Sequence, residues 1–350
     1  MSLLDYLRSL FGLEPKSPPV VKQQSRAPFR QETQPNIGLW WENSLPNAHV
    51  SGAEFEPVTN TVLIEELELS LKENRFEIME LPGNVLHINN ILNSGDDYDL
   101  REIAELVQDS PSLAGSFLSA ANSASFSRGI KITNLNAALP RLGKEVIQGI
   151  LFLNTARSAI PDHPLFAKVA SDYIEESHAV ARICRFLSQR FYGDDNRAYM
   201  AGLLHNVGAL ALLRQIALHY ALPGKLDIPF SAGLFRDIVP RFESRAGGLV
   251  AHFWDLDADL ASAIEYHMDI NSFLAQDPPQ NHRRLTALVR CARNSGKVLG
   301  LCDLREEPDL FNDSAAKIIG MRHYPDVEKV LVKLPAYLRE QGMVLPGEAV

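Results

Sequence analysis

The chain has 350 residues, 46% hydrophobic and 22% charged, a balance ordinary for a folded globular protein with room for two or three cores. Its net charge of −9 argues against bulk attraction to nucleic acid, and no nucleic-acid partner is expected. Three scattered cysteines, Cys184, Cys291 and Cys302, show no C-x-x-C spacing, which excludes a disulfide framework and points to reduced, buried thiols in a cytoplasmic protein.

Residues 1–60 read as a short amphipathic helix followed by a proline-rich arm. Leu3, Leu4, Leu7, Leu10 and Phe11 fall on one helical face within residues 2–13, before Gly12 and Pro15 end the pattern. Arg8 is the basic side chain of that segment, where surface-binding helices are usually Lys/Arg-rich, so docking on protein is favoured over weak peripheral contact with a membrane. No signal peptide is expected. Prolines at 15, 18, 19, 28, 35, 46 and 57 destroy any period in the arm. Trp40 and Trp41, flanked by Leu39 and Leu45, stand out there. Paired indoles are costly to leave in water, so they either tack the arm onto the main domain or bind a partner.

Helical spacing begins near Thr61, and residues 61–160 read as a first helical region. Ile64, Leu67 and Leu71 form one stripe; Val85, Leu86, Ile88, Ile91 and Leu92 form the next, ended by Asn93-Ser94-Gly95-Asp96. Asp99 is placed to cap a helix over 100–107, and Ser110-Pro111 to start another through Leu113, Phe117, Leu118 and Ala121. Ile130-Lys131-Ile132-Thr133 is the one strand candidate, and the class is therefore all-α. Leu151 to Ile160 closes this region, and Pro161-Asp162-His163-Pro164 breaks the chain.

Residues 161–300 read as a second helical bundle. Arg182, Arg185 and Arg190 lie close together on a predicted helix, where a solvated face is favoured over a local basic patch. From Ala198 to Ala217 the chain reads as one helix, apolar on nearly every face and therefore internal, yet interrupted by the polar pair His205-Asn206. It carries His205, Asn206 and Arg214, too polar for a membrane span. Phe230 to Phe242 reads as a connection, Leu249–Trp254, Leu260–His267 and Leu285–Leu299 as helices, and Asp277-Pro278-Pro279 as a loop. In the C-terminal extension, 301–350, Val327, Val330, Leu331, Leu334 and Leu338 form a stripe that Pro335 should kink or divide.

Several of these segments resemble an HDOD domain, the HD-related output domain. They are Leu81-Pro82, Ser110-Pro111-Ser112-Leu113, Ala120-Ala121-Asn122-Ser123-Ala124, Ala138-x-x-x-Leu142-Gly143, Ser177-His178-Ala179-Val180-Ala181, Ala201 to Gly208, Trp254-Asp255-Leu256 and Tyr266-His267. No single motif is distinctive; the ordered set over about residues 75–290 is. The resemblance implies an N-terminal helical subdomain packed on an HD-like bundle, in a bacterial signal-transduction protein. It also implies descent from metal-dependent phosphohydrolases whose ligands are His, a His-Asp pair and a distant Asp.

Those ligand positions are altered in this chain. The first histidine falls on Glu176; His178, two residues on, sits about 200° round the helix and cannot face the same pocket. The His-Asp pair reads His205-Asn206, which removes an anionic ligand. The histidine before the Gly-x6-Trp segment falls on Glu243, the following His-His reads His267-Met268, and the distant aspartate falls near Arg293. Glu176, His205, Asn206, Glu243, His267 and Arg293 are thus the candidate vestigial pocket. A remodelled metal site would have to use Glu176, His205, Glu243 and His267; alternatively the carboxylates pair with Arg293 and a charge network replaces the cation. No cofactor and no catalytic residue are expected, and no phosphate loop, zinc-protease or nucleophile-elbow motif is present. The leading expectation is a non-catalytic pseudoenzyme that signals through contacts with partner proteins not identified by the sequence. A divergent phosphohydrolase and a sensor of a small ligand are the alternatives.

Overall fold

The computed structural model describes residues 57–73, 75–95, 98–127, 129–161, 164–220, 232–302, 308–322 and 324–346. The segment 2–13, the arm, Trp40 and Trp41 lie outside them. Several helices begin where an Asp or Asn side chain accepts a backbone N–H that the first turn leaves unpaired. Asp99 accepts from Arg101, Asn134 from Ala137, Asp194 from Arg197, Asp269 from Ser272 and Asp313 from Ala315.

The helices in order are α1 (Pro57–Lys72), α2 (Gly83–Asn93), α3 (Leu100–Gln108), α4 (Pro111–Asn122), α5 (Leu135–Leu142), α6 (Lys144–Ser158), α7 (Pro164–Phe191) and α8 (Asp195–Leu204). They continue with α9 (Val207–Tyr220), α10 (Ala232–Phe253), α11 (Ala258–Tyr266), α12 (Ile270–Leu274), α13 (Gln280–Val298), α14 (Ser314–Ile319), α15 (Pro325–Leu331) and α16 (Leu334–Glu340). No strand occurs among the described residues. At Ile130–Thr133, expected as the one strand candidate, an asparagine side chain takes the place of a partner strand. Asn122 Oδ1 accepts from the Ile132 N–H and Nδ2 donates to the Ile132 carbonyl, both at 2.7 Å.

α7 is the spine of the second bundle, packed on α8 and α13, while α9 lies on α10, and α10 and α13 flank α11. The first helical region joins it through α6, which packs on α8. Trp254 ties the two together: its ring stacks on Phe152 at 5.2 Å and its indole N–H donates to the Met79 carbonyl at 2.8 Å. α16 returns to lie on α7, and Pro335 sits in its first turn, so the C-terminal stripe is divided into two short helices.

Two sequence expectations are corrected. Ala198–Ala217 is not one helix: α8 ends at Leu204, His205 and Asn206 form a turn, and α9 starts at Val207. The whole stretch is nonetheless internal, and Leu203, Leu204, Val207, Leu210 and Leu213 are fully buried. Asp195–Leu218 passes a length-and-apolarity test for a membrane span, but 83% of its apolar window is buried within the protein. Second, Phe230–Phe242 is no mere connection, because α10 runs from Ala232 through Pro240 to Phe253. Proline removes one intrahelical bond, but Ile238, Val239, Phe242, Ala246 and Val250 are buried on both sides of it, and that burial carries the helix across.

Close backbone crossings set the position of the His205 turn. At Gly202 a Cβ would lie 2.7 Å from Ala181 Cα on α7. At Gly208 it would lie 2.0 Å from the Glu243 carbonyl and 2.6 Å from the Gly247 nitrogen on α10. Gly208→Ala should therefore cost about 3 kcal/mol or more, since backbone rather than a mobile side chain must yield. Gly115→Ala, inside α4 where a Cβ would meet nothing within 4 Å, should instead stabilise by roughly 0.5–1 kcal/mol. Urea unfolding of the two variants beside the parent chain measures both.

Candidate functional site

The turn between α8 and α9 and the end of α11 each carry a buried imidazole. His205 and His267 pack edge to face, ring centroids 5.2 Å apart and planes at 83°. Each Nδ1 is held by its own helix. His205 Nδ1 hydrogen-bonds to the Gly202 carbonyl at 2.7 Å, and His267 Nδ1 to the carbonyls of Ile264 and Ala263 at 3.0 and 3.2 Å. For His267, which burial keeps neutral, those bonds place the proton on Nδ1 and leave Nε2 as a lone pair turned inward. Neither Nε2 has a hydrogen-bond partner among the described residues.

Glu176 on α7 and Arg293 on α13 complete the group. Arg293 Nε donates to Glu176 Oε1 at 3.2 Å, and His205 Nε2 lies 3.8 Å from the same oxygen, beyond hydrogen-bond reach. Glu176 is 3% exposed and Arg293 8% exposed, so the pair is internal. Burial works against the Glu176 carboxylate, but the Arg293 guanidinium and His205 outweigh it and hold its pKa at about 2. Burial, His205 and Arg293 together push His267 well below the ordinary histidine value, so it stays neutral. Arg293 also reaches the Met268 sulfur through Nη1. One turn away Arg290 donates to the Met268 and His267 carbonyls, at 2.6 and 3.3 Å, and from Nε to Asp313 at 2.8 Å. The C-terminal end of α11 is thereby fixed by two arginines of α13.

The remaining expected pocket residues lie at its margins. Asn206 is buried in the turn and donates from Nδ2 to the Tyr173 carbonyl at 3.4 Å. Glu243 is buried on α10, where its carbonyl faces Gly208. His178 lines a cleft that Glu176 borders as well, so the two residues, expected to face different pockets, share one wall of it. The three arginines of α7 have separate destinations. Arg182 lines that cleft, Arg185 bonds Asn196 and lies over the Phe126 ring, and Arg190 pairs with Asp326 on the surface. The three cysteines are free and buried, and burial raises each thiol pKa above its ordinary value.

An HDOD domain model matches residues 78–270. The chain belongs to the HDOD family. Curated proteins yield no match. Solved structures share the fold. One, described as a candidate metal-dependent phosphohydrolase from Shewanella amazonensis, is 20% identical with a TM-score of 0.62, over 81% of this chain and 98% of that one. An HDOD domain protein of unknown function from Geobacter sulfurreducens is 21% identical with a TM-score of 0.57, over 81% and 96%. A candidate signal transduction protein from Marinobacter aquaeolei is 18% identical with a TM-score of 0.56, over 81% of this chain and 64% of that longer one.

The donor set of this HDOD protein does not fit the divalent ion of HD phosphohydrolases. Among the described residues no three His, Cys, Asp or Glu side chains come together as a ligand set. The carboxylate nearest the two imidazoles already carries a guanidinium, and the position expected to hold the aspartate of the pair is an amide. A cation there would displace a fixed positive charge and gain no second anionic ligand. One internal network joins α7, the α8–α9 turn, the end of α11 and α13.

Arg293→Met would leave the Glu176 carboxylate buried without its guanidinium and should cost about 3–5 kcal/mol, read from urea unfolding at pH 7. In the double variant with Glu176→Gln much of that loss should return. Acid should weaken the fold in two windows. As pH falls below 6.5 the unfolded chain protonates His267 while the folded chain does not, and from about 4.5 towards 2 the same holds for Glu176. Each proton taken up only by the unfolded state removes about 1.4 kcal/mol per pH unit. His267→Gln should flatten the upper window and Glu176→Gln the lower, measured as the urea midpoint against pH.

Proposed function

We propose that this HDOD protein is a cytoplasmic regulator that carries out no phosphohydrolysis and acts by contacts with other proteins. The observation that carries the reading is Arg293 on Glu176: the centre of the site is filled by a charge of the sign a catalytic metal would supply. That charge is covalently tethered and carries no exchangeable water, so it can neither generate hydroxide nor open a coordination position for a phosphoryl oxygen. Asn206 supports the same reading, since an amide gives a cation a weaker ligand than a carboxylate. A regulatory role agrees with the signal transduction protein among the structural neighbours.

Without chemistry, the bundle offers surfaces. Leu69, Leu86, Ile130, Phe253 and Val332 are exposed apolar side chains. The internal charge network would hold the helices that present them in a fixed relation. Trp40 and Trp41, outside the described residues, remain our candidates for a partner-binding element of the arm.

Elemental analysis of the full chain, purified without chelator or metal-affinity resin, tests the non-catalytic reading. Iron, manganese, zinc and nickel should be well below one equivalent, and p-nitrophenyl phosphate and bis(p-nitrophenyl) phosphate should not be hydrolysed when manganese is added. Near-stoichiometric metal that is lost in His205→Ala, together with hydrolysis lost in the same variant, would replace this reading with a divergent phosphohydrolase.

A further inference from the structure

A cleft of about 840 Å³ lies between the first helical region and the second bundle, apart from the imidazole pair. One wall is α4, whose Ser112, Ser116 and Ser119 share a helical stripe with Ser123 just beyond it; α6 adds Asn154 and Arg157. The facing wall is α7, from Asp172 to Arg182, and the residues after α13 and α16 close the remaining side with Leu301, Met343 and Val344.

The charges on these walls are unevenly satisfied. Asp172 is bound by Lys168 at 2.6 Å, and Glu176 is held by Arg293. Of the three acidic side chains, only Glu175 is left without such a partner among the described ion pairs. The two guanidiniums are not matched in this way. Neither Arg157 nor Arg182 has a carboxylate within ion-pair distance among the described residues. Arg182 spends one N–H on the His178 carbonyl of its own helix at 3.3 Å, out of the five that a guanidinium carries. Both arginines lie near enough to His178 for their fields, after burial, to depress its pKa to about 4. Two guanidiniums without a carboxylate partner among the described residues thus line one concave, hydroxyl-bearing space together with the His178 ring.

We propose that this cleft binds a phosphorylated small molecule of nucleotide size, with its phosphate held between Arg157 and Arg182. Each planar guanidinium can donate two parallel N–H bonds to two oxygens of a tetrahedral phosphate, and the neutral His178 ring can supply a further N–H. Ser119 and the mutually bonded Ser116 and Asn154 give the cleft a polar lining for such a molecule, while Leu301, Met343 and Val344 offer an apolar surface to its organic body. The volume falls within the several hundred to 1,000 Å³ usual for small-molecule sites. Glu176 belongs both to this wall and to the buried charge network, so an occupant of the cleft adjoins the group that joins α7 to α13. The proposal stands independently of the non-catalytic reading.

Calorimetric titration of the full chain at pH 7 with AMP, GMP and inorganic phosphate tests it. At least one nucleotide should bind at a single site and more tightly than inorganic phosphate. Arg157→Gln and Arg182→Gln should each weaken that binding about tenfold, and Arg190→Gln should leave it unchanged. Protection from phenylglyoxal in the unaltered chain, mapped by mass spectrometry, gives the same answer without a variant that must fold. The bound nucleotide should shield Arg157 and Arg182 but not Arg190. Absence of binding by all three probes at millimolar concentration, or binding that neither shields these two arginines nor responds to their replacement, overturns the proposal.

Discussion

A carboxylate buried at 3% exposure needs a cation, and Glu176 has Arg293. Removing two charges from water costs several kcal/mol each, and their mutual attraction offsets that only if the geometry is held. The rest of the second bundle can be read as the means of holding it. Arg290, one turn from Arg293, clamps the end of α11 and pairs with Asp313 at the start of α14. His205 and His267 each spend Nδ1 on their own helix, which fixes both rings beside the pair. A metal ion would organise such a group through coordination bonds. Here a guanidinium does so through hydrogen bonds and a tethered charge.

That arrangement depends on backbone approach as much as on charge. The His205 turn sits where α8 meets α7 at Gly202 and α9 meets α10 at Gly208, crossings too close for a side chain. Trp254, buried at the end of α10, reaches across to Phe152 and the Met79 carbonyl and joins the first helical region to the bundle. The space left between these two parts is the cleft that Arg157, Arg182 and His178 line. Both the buried network and the open cleft are products of the same packing of α6, α7 and α8.

Much of this was legible in local sequence. Asp99 announced a helix start and accepts the Arg101 N–H; the stripe of Val85, Ile88 and Leu92 is the buried face of α2; Pro335 divides the C-terminal stripe. Where local reading failed, a longer-range effect prevailed. Phe230–Phe242 read as a connection, yet burial on either side of Pro240 sustains α10. His205-Asn206 looked like two polar residues within a helix, but they form the turn between two helices, a distinction that apolar periodicity on both sides conceals. Ile130–Thr133 had the composition of a strand and found an asparagine side chain instead.

The sequence by itself determined the class and the family: helical periodicity, capping residues and an ordered set of motifs are local properties carried by residues near one another in the chain. It also showed which ligand positions had changed, because a substitution is visible wherever a motif can be aligned. Only the tertiary structure decided what those changes amount to. Glu176 and Arg293 are separated by more than a hundred residues, and whether a carboxylate and a guanidinium meet or serve different partners depends on how α7 and α13 pack. Arg157 and His178 carried no sequence signal of a shared site, since a cleft is a property of the gap between elements rather than of either one.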